Sequence, residues 1–372
     1  MTAIPAADGK DWHPFDRDDS QRTVERFTFT GTAREYFGIW IVNILLTILT
    51  LGIYSAWAKV RRQRYFYGNT HLSGASFDYH ARPLQILVGR IIVLAVLLVY
   101  SLVTNVYPMS IIVLGPLFAL AIPYFVMRGL RFAARVTSFR NVRFDFHGGY
   151  GGAFLAYVLG GIVTWLSLGL LAPVASRWMW RYLLNNVSYG GRPVTSEPAL
   201  RALYGQWWLP ALVMIVGSLV IGVSVFTMAT VFNEAIGGLA TGSVDQLLGV
   251  ILQIIATSIF PAIVLLAIVA LVYRAGTRNV AFNATLLDGR HRLRSTIHRG
   301  RFAWINITNL VATVLTLGLA RPWAAVRLAK FVTAATALEL AGTLDDFLGD
   351  VQDSGAAVGA EFLDVEGFDV GF

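Results

Sequence analysis

The sequence predicts an all-α integral membrane protein with several passes, internal pseudo-repeats, broken or re-entrant helices and a small cytoplasmic β element. Three observations support this prediction: the composition, the spacing of the apolar stretches and an internal repeat. Of the 372 residues, 56% are hydrophobic and only 14% are charged, whereas a soluble domain carries about 25% charged residues. The chain is therefore expected to be embedded in a membrane.

Seven apolar stretches approach the length of a membrane-spanning helix, which needs about 20 residues. They lie at about 37–57, 84–106, 109–127, 153–175, 207–232, 247–273 and 302–324. Only Tyr107 and Pro108 separate the second stretch from the third, and the segment between the fifth and the sixth contains no Lys or Arg. These two pairs predict helical hairpins at 84–127 and 207–273.

An internal repeat organises the rest of the chain. When the sequence is compared with itself at an offset of 117 residues, positions 27–74 share 13 identities with the later copy. At an offset of 266 the segment from Asn43 to Arg61 returns as the segment from Asn309 to Arg327. Repeats of this kind decide an architecture, so the chain is expected to alternate repeat units with hairpins.

The predicted organisation has a membrane domain at 23–342 between two tails. The repeat units lie at about 23–80, 140–195 and 278–342. Residues 1–22 are expected to form a flexible N-terminal tail, because they mix charges and prolines without an apolar core. Residues 343–372 are expected to form an acidic C-terminal tail, because they contain no Lys or Arg.

Short strands are predicted at the edges of the units. The runs RFTFTG (26–31), RFDFHG (143–148) and NVAFNA (279–284) alternate with a period of two, which is typical of a strand. The segments NTHLSGASFDY, NNVSYGGRPVT and LLDGRHRL contain glycines that suit hairpin turns. Because unpaired strand backbone has no partner in lipid, these pieces are expected to form a small sheet outside the bilayer.

The distribution of positive charge distinguishes two topologies. If all seven stretches crossed, the basic residues would divide almost evenly between the two sides, which is unusual under the positive-inside rule. If the first, fourth and seventh stretches each enter and leave by one face, all of the 30 Lys and Arg residues except Arg90 fall on one side. This favours re-entrant units, with the basic loops and both termini in the cytoplasm. Seven simple spans stay open as the alternative, because 153–175 is long enough to cross unbroken.

Three equivalent glycines mark the expected point of return in each unit. Gly52, Gly169 and Gly318 follow a Leu in all three copies, and glycine permits a sharp backbone reversal. In the first unit this predicts a short helix at 36–50, a break at Gly52 and a returning helix at 56–67.

The motifs FTFTG, EYFGIWIVN, TLGIYSAWAKVRRQRYFYGNT and LSGASFDY carry a resemblance to a known family. The chain resembles the YjgN-like family of bacterial inner-membrane proteins, a domain of unknown function, from about Thr23 to Gly342. Two copies depart from the pattern, since Val174 replaces the tryptophan and Ala325 replaces the lysine. The resemblance implies a multi-pass inner-membrane protein and supplies no substrate or site residue.

No chemical motif predicts catalysis. The chain has no cysteine, which excludes disulfides, thiolate nucleophiles and cysteine metal sites. Its six histidines form no HExxH motif and no His/Cys zinc spacing, and no GxSxG or Walker sequence is present. We therefore expect no catalytic, cofactor-binding or metal site, no cofactor, and a protein that is not an enzyme.

Basic clusters next to aromatic residues predict contact with anionic membrane lipids, since such pairs are typical of membrane interfaces. The candidate residues are Lys59, Arg61, Arg62, Arg64, Arg181, Arg327 and Lys330. Nucleic acid is not an expected partner, because no nucleic-acid motif accompanies the charge. Homo-oligomerisation and an unidentified membrane partner stay open. The acidic tail is expected either to fold over the basic face or to stay solvated.

Polar residues in the short helices leave a second function open. Asn43, Thr47, Thr164, Asn309 and Thr313 lie at related positions and could line a polar path, although an amide in a membrane helix more often bonds across a helix interface. The preferred function is a non-enzymatic membrane scaffold or lipid-contacting protein. The alternative is a channel or transporter for a small solute, because repeats with interrupted helices recur in transport folds.

Overall fold

The computed structural model describes residues 22–236 and 255–342, together with residues 248, 249, 252, 253 and 349. Apart from Arg22 and Gly349, the two predicted tails therefore lie outside the described residues.

Helices make up most of the described chain. They are α1 (Ala33–Leu49), α2 (Ser55–Gly68), α3 (Pro83–Val106), α4 (Ile111–Arg135), α5 (Tyr150–Ala153), α6 (Gly160–Leu166), α7 (Ala172–Asn185), α8 (Leu200–Ile236), α9 (Phe260–Asn283), α10 (Arg299–Leu315) and α11 (Arg321–Ala334). A π-helical stretch, Phe154–Leu159, joins α5 to α6. Within the described residues, four helical segments are long and apolar enough to cross a membrane: Pro83–Val106, Pro108–Arg135, Leu200–Thr230 and Ala256–Asn283.

The strands form one antiparallel sheet that closes on itself. They are β1 (Arg22–Arg26), β2 (Thr28–Phe29), β3 (Thr70–Leu72), β4 (Ala75–Tyr79), β5 (Thr137–Phe139), β6 (Val142–Phe146), β7 (Val187–Tyr189), β8 (Arg192–Ser196), β9 (Thr285–Leu287), β10 (His291–Ser295) and β11 (Thr336–Ala341). Their order is β1-β11-β10-β9-β8-β7-β6-β5-β4-β3-β2. Only Phe27 separates β1 from β2, and its N–H donates to the carbonyl of Thr336 at 3.1 Å. β1 and β2 therefore act as one bent strand that closes a barrel.

The connections alternate between the two ends of this barrel. Tight turns join β3 to β4, β5 to β6, β7 to β8 and β9 to β10, and a pair of helices makes each of the other connections. Because consecutive strands are antiparallel neighbours, all the helical hairpins leave from one end, which we call the helical end, and all the tight turns lie at the other, the turn end. The hairpins also contact one another in a ring, from α2 against α3 round to α11 against α1.

Repeated contacts hold both ends of a unit at the barrel. In the first unit, Thr32 caps α1 in a capping box with Glu35. The hydroxyl of Tyr65, near the end of α2, donates to the carbonyl of Thr32 at 2.8 Å. In the second unit the equivalent hydroxyl of Tyr182 donates to the carbonyl of Gly149 at 3.1 Å. These bonds tie the start of the entering helix to the end of the returning helix, beside the barrel.

The predicted all-α class is wrong. The strands form an eleven-stranded closed sheet, not a small β element, and all the helical hairpins are built on it. The error has a physical cause: the strands have only two to six residues, and partners such as β1 and β11 come from opposite ends of the domain. Local periodicity detects single strands but not the long-range pairing that closes them into a barrel.

One predicted strand is also misplaced. The alternating run at 279–284 lies at the end of α9 and in its C-cap, and the strand that opens the third unit is β10. Three strands, β1, β5 and β11, lie outside the predicted runs apart from the last residue of β1, although β5 joins β4 to β6 and the pairing of β1 with β11 helps to close the barrel.

Candidate functional site

Alternate residues of each strand point into the barrel, and most of these inward side chains are apolar. Its buried cluster consists of Leu72, Phe139, Tyr189, Leu338 and Leu340. This packing fills part of the barrel and leaves an internal space, which we call the chamber.

The chamber has a volume of about 410 Å³, within the range of about 300–1,000 Å³ that is usual for small-molecule sites. Its walls come from strands all round the barrel and from three helix ends. They consist of Phe27, Leu72, Phe77, Phe139, Phe144, Leu184, Val187, Tyr189, Val194, Arg278, Phe282, Thr285, Leu287, Leu293, Val332, Thr333, Thr336 and Leu338. Most of these side chains are aliphatic or aromatic, so the chamber suits an apolar occupant.

Aromatic rings form a continuous wall on one side of the chamber. The ring centroids of Phe77 and Phe139 lie 4.8 Å apart, and those of Phe144 and Tyr189 lie 4.9 Å apart. Phe27 stacks on Phe77 at 6.1 Å, which links the closing strand to this wall. The hydroxyl of Tyr189 donates to the carbonyl of Phe139 at 3.0 Å. Burial raises the pKa of this phenol, so the wall keeps an uncharged, satisfied hydroxyl.

The helical end of the chamber is formed by the last turns of three helices. Leu184 comes from α7, Phe282 from α9 and Val332 from α11. Each of these helices runs directly into a strand of the barrel, so the end of the helix lies over the interior. The chamber therefore lies between the turn end of the barrel and the ring of helices.

Arg278 is the one charged side chain among the described residues that line the chamber. It is partly buried on α9, and its Nη1 donates to the hydroxyl of Ser295. Its Nη2 donates to Thr336 Oγ1 at 2.9 Å, and its guanidinium lies 4.0 Å from the ring centroid of Phe282. These partners are neutral, so an anion in the chamber could still pair with the guanidinium, which has five N–H donors.

No local sequence pattern indicates this site. Phe27, Phe77 and Phe144 lie on or beside predicted strands, but nothing local indicated that they face one another across a closed barrel. Arg278 carries no local signal of its own, because it is one of many basic residues between the apolar stretches. The available signal was the alternation of phenylalanines on the strands, and it became informative only after the strand order was known.

The three predicted helix-break glycines lie in equivalent turns. The backbone φ is +93° at Gly52, +87° at Gly169 and +94° at Gly318. The N–H of Gly52 bonds back to the carbonyl of Thr47 at 2.7 Å, and the other two glycines make the same bond to Thr164 and Thr313. The chain reverses at each glycine and the next helix returns to the barrel.

A leucine precedes each glycine at the tip of the unit hairpin. Leu51, Leu168 and Leu317 also have positive φ, between 49° and 51°, a conformation that is unfavourable for a leucine. Their side chains are 94–95% exposed. Together the tips form three apolar points on the side of the structure opposite the barrel.

The predicted lipid-contact residues occupy returning helices and are mostly exposed. Lys59, Arg61, Arg62 and Arg64 lie on α2, Arg181 on α7, and Arg327 and Lys330 on α11. Arg64 donates to the carbonyl of Tyr79 at 3.3 Å, and Arg181 pairs with Glu197 at 3.0 Å. Arg327 is half-buried and bonds within its own unit, and Arg181 already has an acidic partner, so the other five are better placed to contact an external anion.

The predicted polar-path residues are largely satisfied within their helices. The hydroxyls of Thr47, Thr164 and Thr313 each donate to the carbonyl four residues earlier, at 2.6–2.7 Å. Asn309 bonds to the returning helix of its unit, and Asn43 is buried with no partner for Oδ1 among the described residues. The hydroxyl protons of the three threonines are therefore already bonded to backbone carbonyls.

Metal coordination finds no support in the described part of the chain, where no group of three or more His, Asp and Glu side chains comes together. His80 and His147 instead contact the hydroxyls of Ser138 and Ser188, at 2.7 Å and 3.1 Å. Each pair joins the end of one strand to its neighbour in the sheet, β4 to β5 and β6 to β7.

Comparison with known proteins agrees with the resemblance found in the motifs. The profile of a family described as "Bacterial protein of unknown function (DUF898)" matches residues 24–365. A protein of Salmonella typhimurium named "Inner membrane protein YjgN" is 25% identical over 356 residues, which cover 85% of this chain and 88% of that protein. The protein of the same name from Escherichia coli K12 is 36% identical over 122 residues, covering 32% and 31%. No solved structure matches the chain significantly.

Proposed function

Because the chain belongs to the DUF898 family of bacterial proteins of unknown function, we propose that it is a non-enzymatic inner-membrane scaffold that contacts anionic lipids. The observation that carries this proposal is the arrangement of the helical hairpins, all of which leave one end of a closed barrel. A protein of this shape can hold its barrel against one face of a bilayer. The relatives named as inner membrane proteins support the location.

The charge distribution supports a cytoplasmic barrel. The connection between α3 and α4, at Tyr107, contains no Lys or Arg, whereas the barrel and the helix ends beside it are rich in Arg. Under the positive-inside rule the basic side faces the cytoplasm. The two long hairpins then span the bilayer, and the three unit hairpins enter it and return.

The tips and the basic residues of the unit hairpins suit this placement. Leu51 is 95% exposed at the first tip, which costs little in lipid but is unfavourable in water. Arg61 and Arg62 lie six and seven residues after Ser55, the first residue of α2, or roughly 10 Å along the helix. Each is exposed, and a basic side chain near an anionic surface contributes about 1 kcal/mol of attraction.

Lipid contact is preferred over solute transport because of the polar-path residues. Thr47, Thr164 and Thr313 donate their hydroxyl protons to their own helices, so they offer few free donors to a solute. A flux assay with purified protein in liposomes tests this choice, since selective solute flux would favour the channel.

Single-cysteine labelling tests the topology, and the chain has no native cysteine to remove. Asp78→Cys and Thr195→Cys lie on exposed strand positions of the first and second units, and Tyr107→Cys lies at the far end of a long hairpin. In intact cells with a permeable outer membrane, an impermeant maleimide should label only Tyr107→Cys. Seven simple spans would instead place positions 78 and 195 on opposite sides.

Lipid contact is tested by native mass spectrometry of protein released from mixed nanodiscs. The wild type should retain phosphatidylglycerol over phosphatidylcholine, and the double variant Arg61→Gln/Arg62→Gln should lose most of that preference. The matched control Arg140→Gln/Arg290→Gln removes the same charge from the turn end, away from the bilayer. An equal loss in both variants would mean that overall charge, and not a lipid-contact site, sets the preference.

A further inference from the structure

We propose that the chamber of the barrel binds one aliphatic chain that carries a single anionic group, such as a fatty acid or a lysophospholipid. The inference goes beyond the proposed surface contact with lipids and does not depend on it, because it concerns the interior of the barrel. It rests on three features of the chamber. These are the apolar wall, the partly buried guanidinium of Arg278 and the position of that guanidinium at the helical end.

The wall of the chamber selects an apolar ligand. It is built from phenylalanines such as Phe77 and Phe144 and from aliphatic residues such as Leu287 and Leu293. The hydroxyls of Thr285, Thr333 and Thr336 each donate to the helix carbonyl four residues earlier, at 2.7–2.8 Å. A sugar or a nucleotide would therefore find few hydrogen-bond partners here, whereas an aliphatic chain needs none.

Arg278 selects the charge of the ligand. Its guanidinium contacts Ser295, Thr336 and the ring of Phe282 and so meets no counter-ion among its described partners. A charge in partly desolvated surroundings is stabilised by pairing, and guanidinium binds carboxylate and phosphate in a fork geometry. The group opposite it should therefore be an anion.

The position of Arg278 sets the orientation of the ligand. Ser295 ends β10 and Thr336 begins β11, so both bonds hold the guanidinium at the helical end of the barrel. The chain of a bound amphiphile would extend from there along the aromatic wall toward the turn end. A lipid leaving the bilayer would keep its head near the headgroup layer and place its chain in the barrel.

Chain-length dependence tests the chamber. Fatty acids of 8 to 18 carbons are titrated against the wild-type protein in zwitterionic nanodiscs, by displacement of a fluorescent dodecanoate. Affinity should rise about fourfold for each added methylene while the chain is being buried and then become constant when the chamber is full. Simple partition into the bilayer would rise without this limit and would overturn the proposal.

Two variants locate the binding. Leu293→Trp fills part of the chamber and should move the limit to a shorter chain. Arg278→Gln should weaken dodecanoate at least about tenfold but leave dodecanol unchanged, because only the acid can pair with the guanidinium. Arg274→Gln, one turn earlier on the same helix and exposed, is the matched control and should bind like the wild type.

A photoreactive fatty acid supplies an outcome that does not depend on affinity. Mass spectrometry should find the label on chamber strands such as Val142–Phe146, and Leu293→Trp should reduce it. Labelling confined to α3 and α4 in both proteins would show that the fatty acid stays in the bilayer and would sink the proposal. Comparison with a photoreactive lysophosphatidylglycerol distinguishes a free fatty acid from a membrane lipid as the source of the anion.

Discussion

The guanidinium of Arg327 donates to the amide oxygen of Asn309 at 3.1 Å, and so joins the two helices of the third unit. The amide nitrogen of Asn309 also donates to the carbonyl of Ala324 at 3.0 Å. In the first unit the equivalent Asn43 is buried, but its Oδ1 has no partner among the described residues, and the equivalent Arg61 is exposed. The repeat therefore keeps the residue types without keeping the interaction.

This difference predicts opposite effects of the same substitution in two units. Asn309→Leu should destabilise the protein by about 1–3 kcal/mol, since it removes two hydrogen bonds and leaves buried partners unsatisfied. Asn43→Leu should be neutral or stabilising, because it removes a buried polar group that is not satisfied. Chemical unfolding in detergent measures both free energies of unfolding. Equal destabilisation would contradict the assigned hydrogen bonds.

The turn glycines give a second prediction. Gly52→Ala and Gly318→Ala should each destabilise the protein by about 1–2 kcal/mol, because φ is +93° and +94° at these positions and L side chains are strained there. Gly38→Ala is the control: it lies inside α1 with nothing within 4 Å of an added Cβ. This control should stabilise by about 0.5–1 kcal/mol. Thermal unfolding of the three variants in one detergent provides the comparison, and a neutral Gly52→Ala would be inconsistent with the turn.

The repeat explains why part of this architecture could be predicted. Gly52, Gly169 and Gly318 were found by comparing the chain with itself, and the structure places each of them between two antiparallel helices. The long hairpins followed from uninterrupted apolar sequence. Such features are local, so their signal lies within one segment.

The barrel and its chamber could not be predicted in the same way. The pairing of Arg22 with Ala341 joins the two ends of the described domain, and no short window contains it. The run Asn279–Asn283 alternates like a strand, yet it continues a long helix, and Asn283 bonds to the carbonyl of Ser295 at 3.1 Å. Tertiary context decided between strand and helix there. Arg278 became a candidate only when that helix placed it beside the barrel interior.

The barrel wall gives a third prediction, which contrasts an interior ring with a partly buried ion pair on the outer face of the sheet. Phe144→Ala should cost about 3 kcal/mol, because it removes contacts with Phe77 and Tyr189 and enlarges the chamber. Glu339→Gln breaks the 2.6 Å pair with Arg294 on the neighbouring strand, but the exposed guanidinium keeps the cost below about 1 kcal/mol. Measurement of the free energies of unfolding in detergent compares the losses caused by the two substitutions. A larger loss from Glu339→Gln would show that the outer face dominates barrel stability.

Alkaline unfolding gives the fourth prediction, through Tyr189. Burial raises the pKa of its phenol above the ordinary value of 10.0. Above pH 10 the unfolded chain therefore loses a proton that the folded chain keeps, and the free energy of unfolding falls by up to about 1.4 kcal/mol per pH unit for this one group. Below pH 10 the contribution is fully present, so stability near neutral pH should not depend on this residue's ionisation.

The variant Tyr189→Phe separates the hydrogen bond from the titration. At pH 7 it should cost about 1 kcal/mol, because the bond to the carbonyl of Phe139 is lost. Between pH 10 and 11.5 its stability should fall less steeply than that of the wild type, so the two curves converge. Tyr107→Phe, at an exposed ring on the far side of the long hairpin, is the control and should follow the wild type. A buried phenol inside the barrel can reach water only when the barrel opens, so its ionisation should accompany unfolding. Parallel curves for Tyr189→Phe and the wild type would contradict this and would mean that the phenol does not titrate with unfolding.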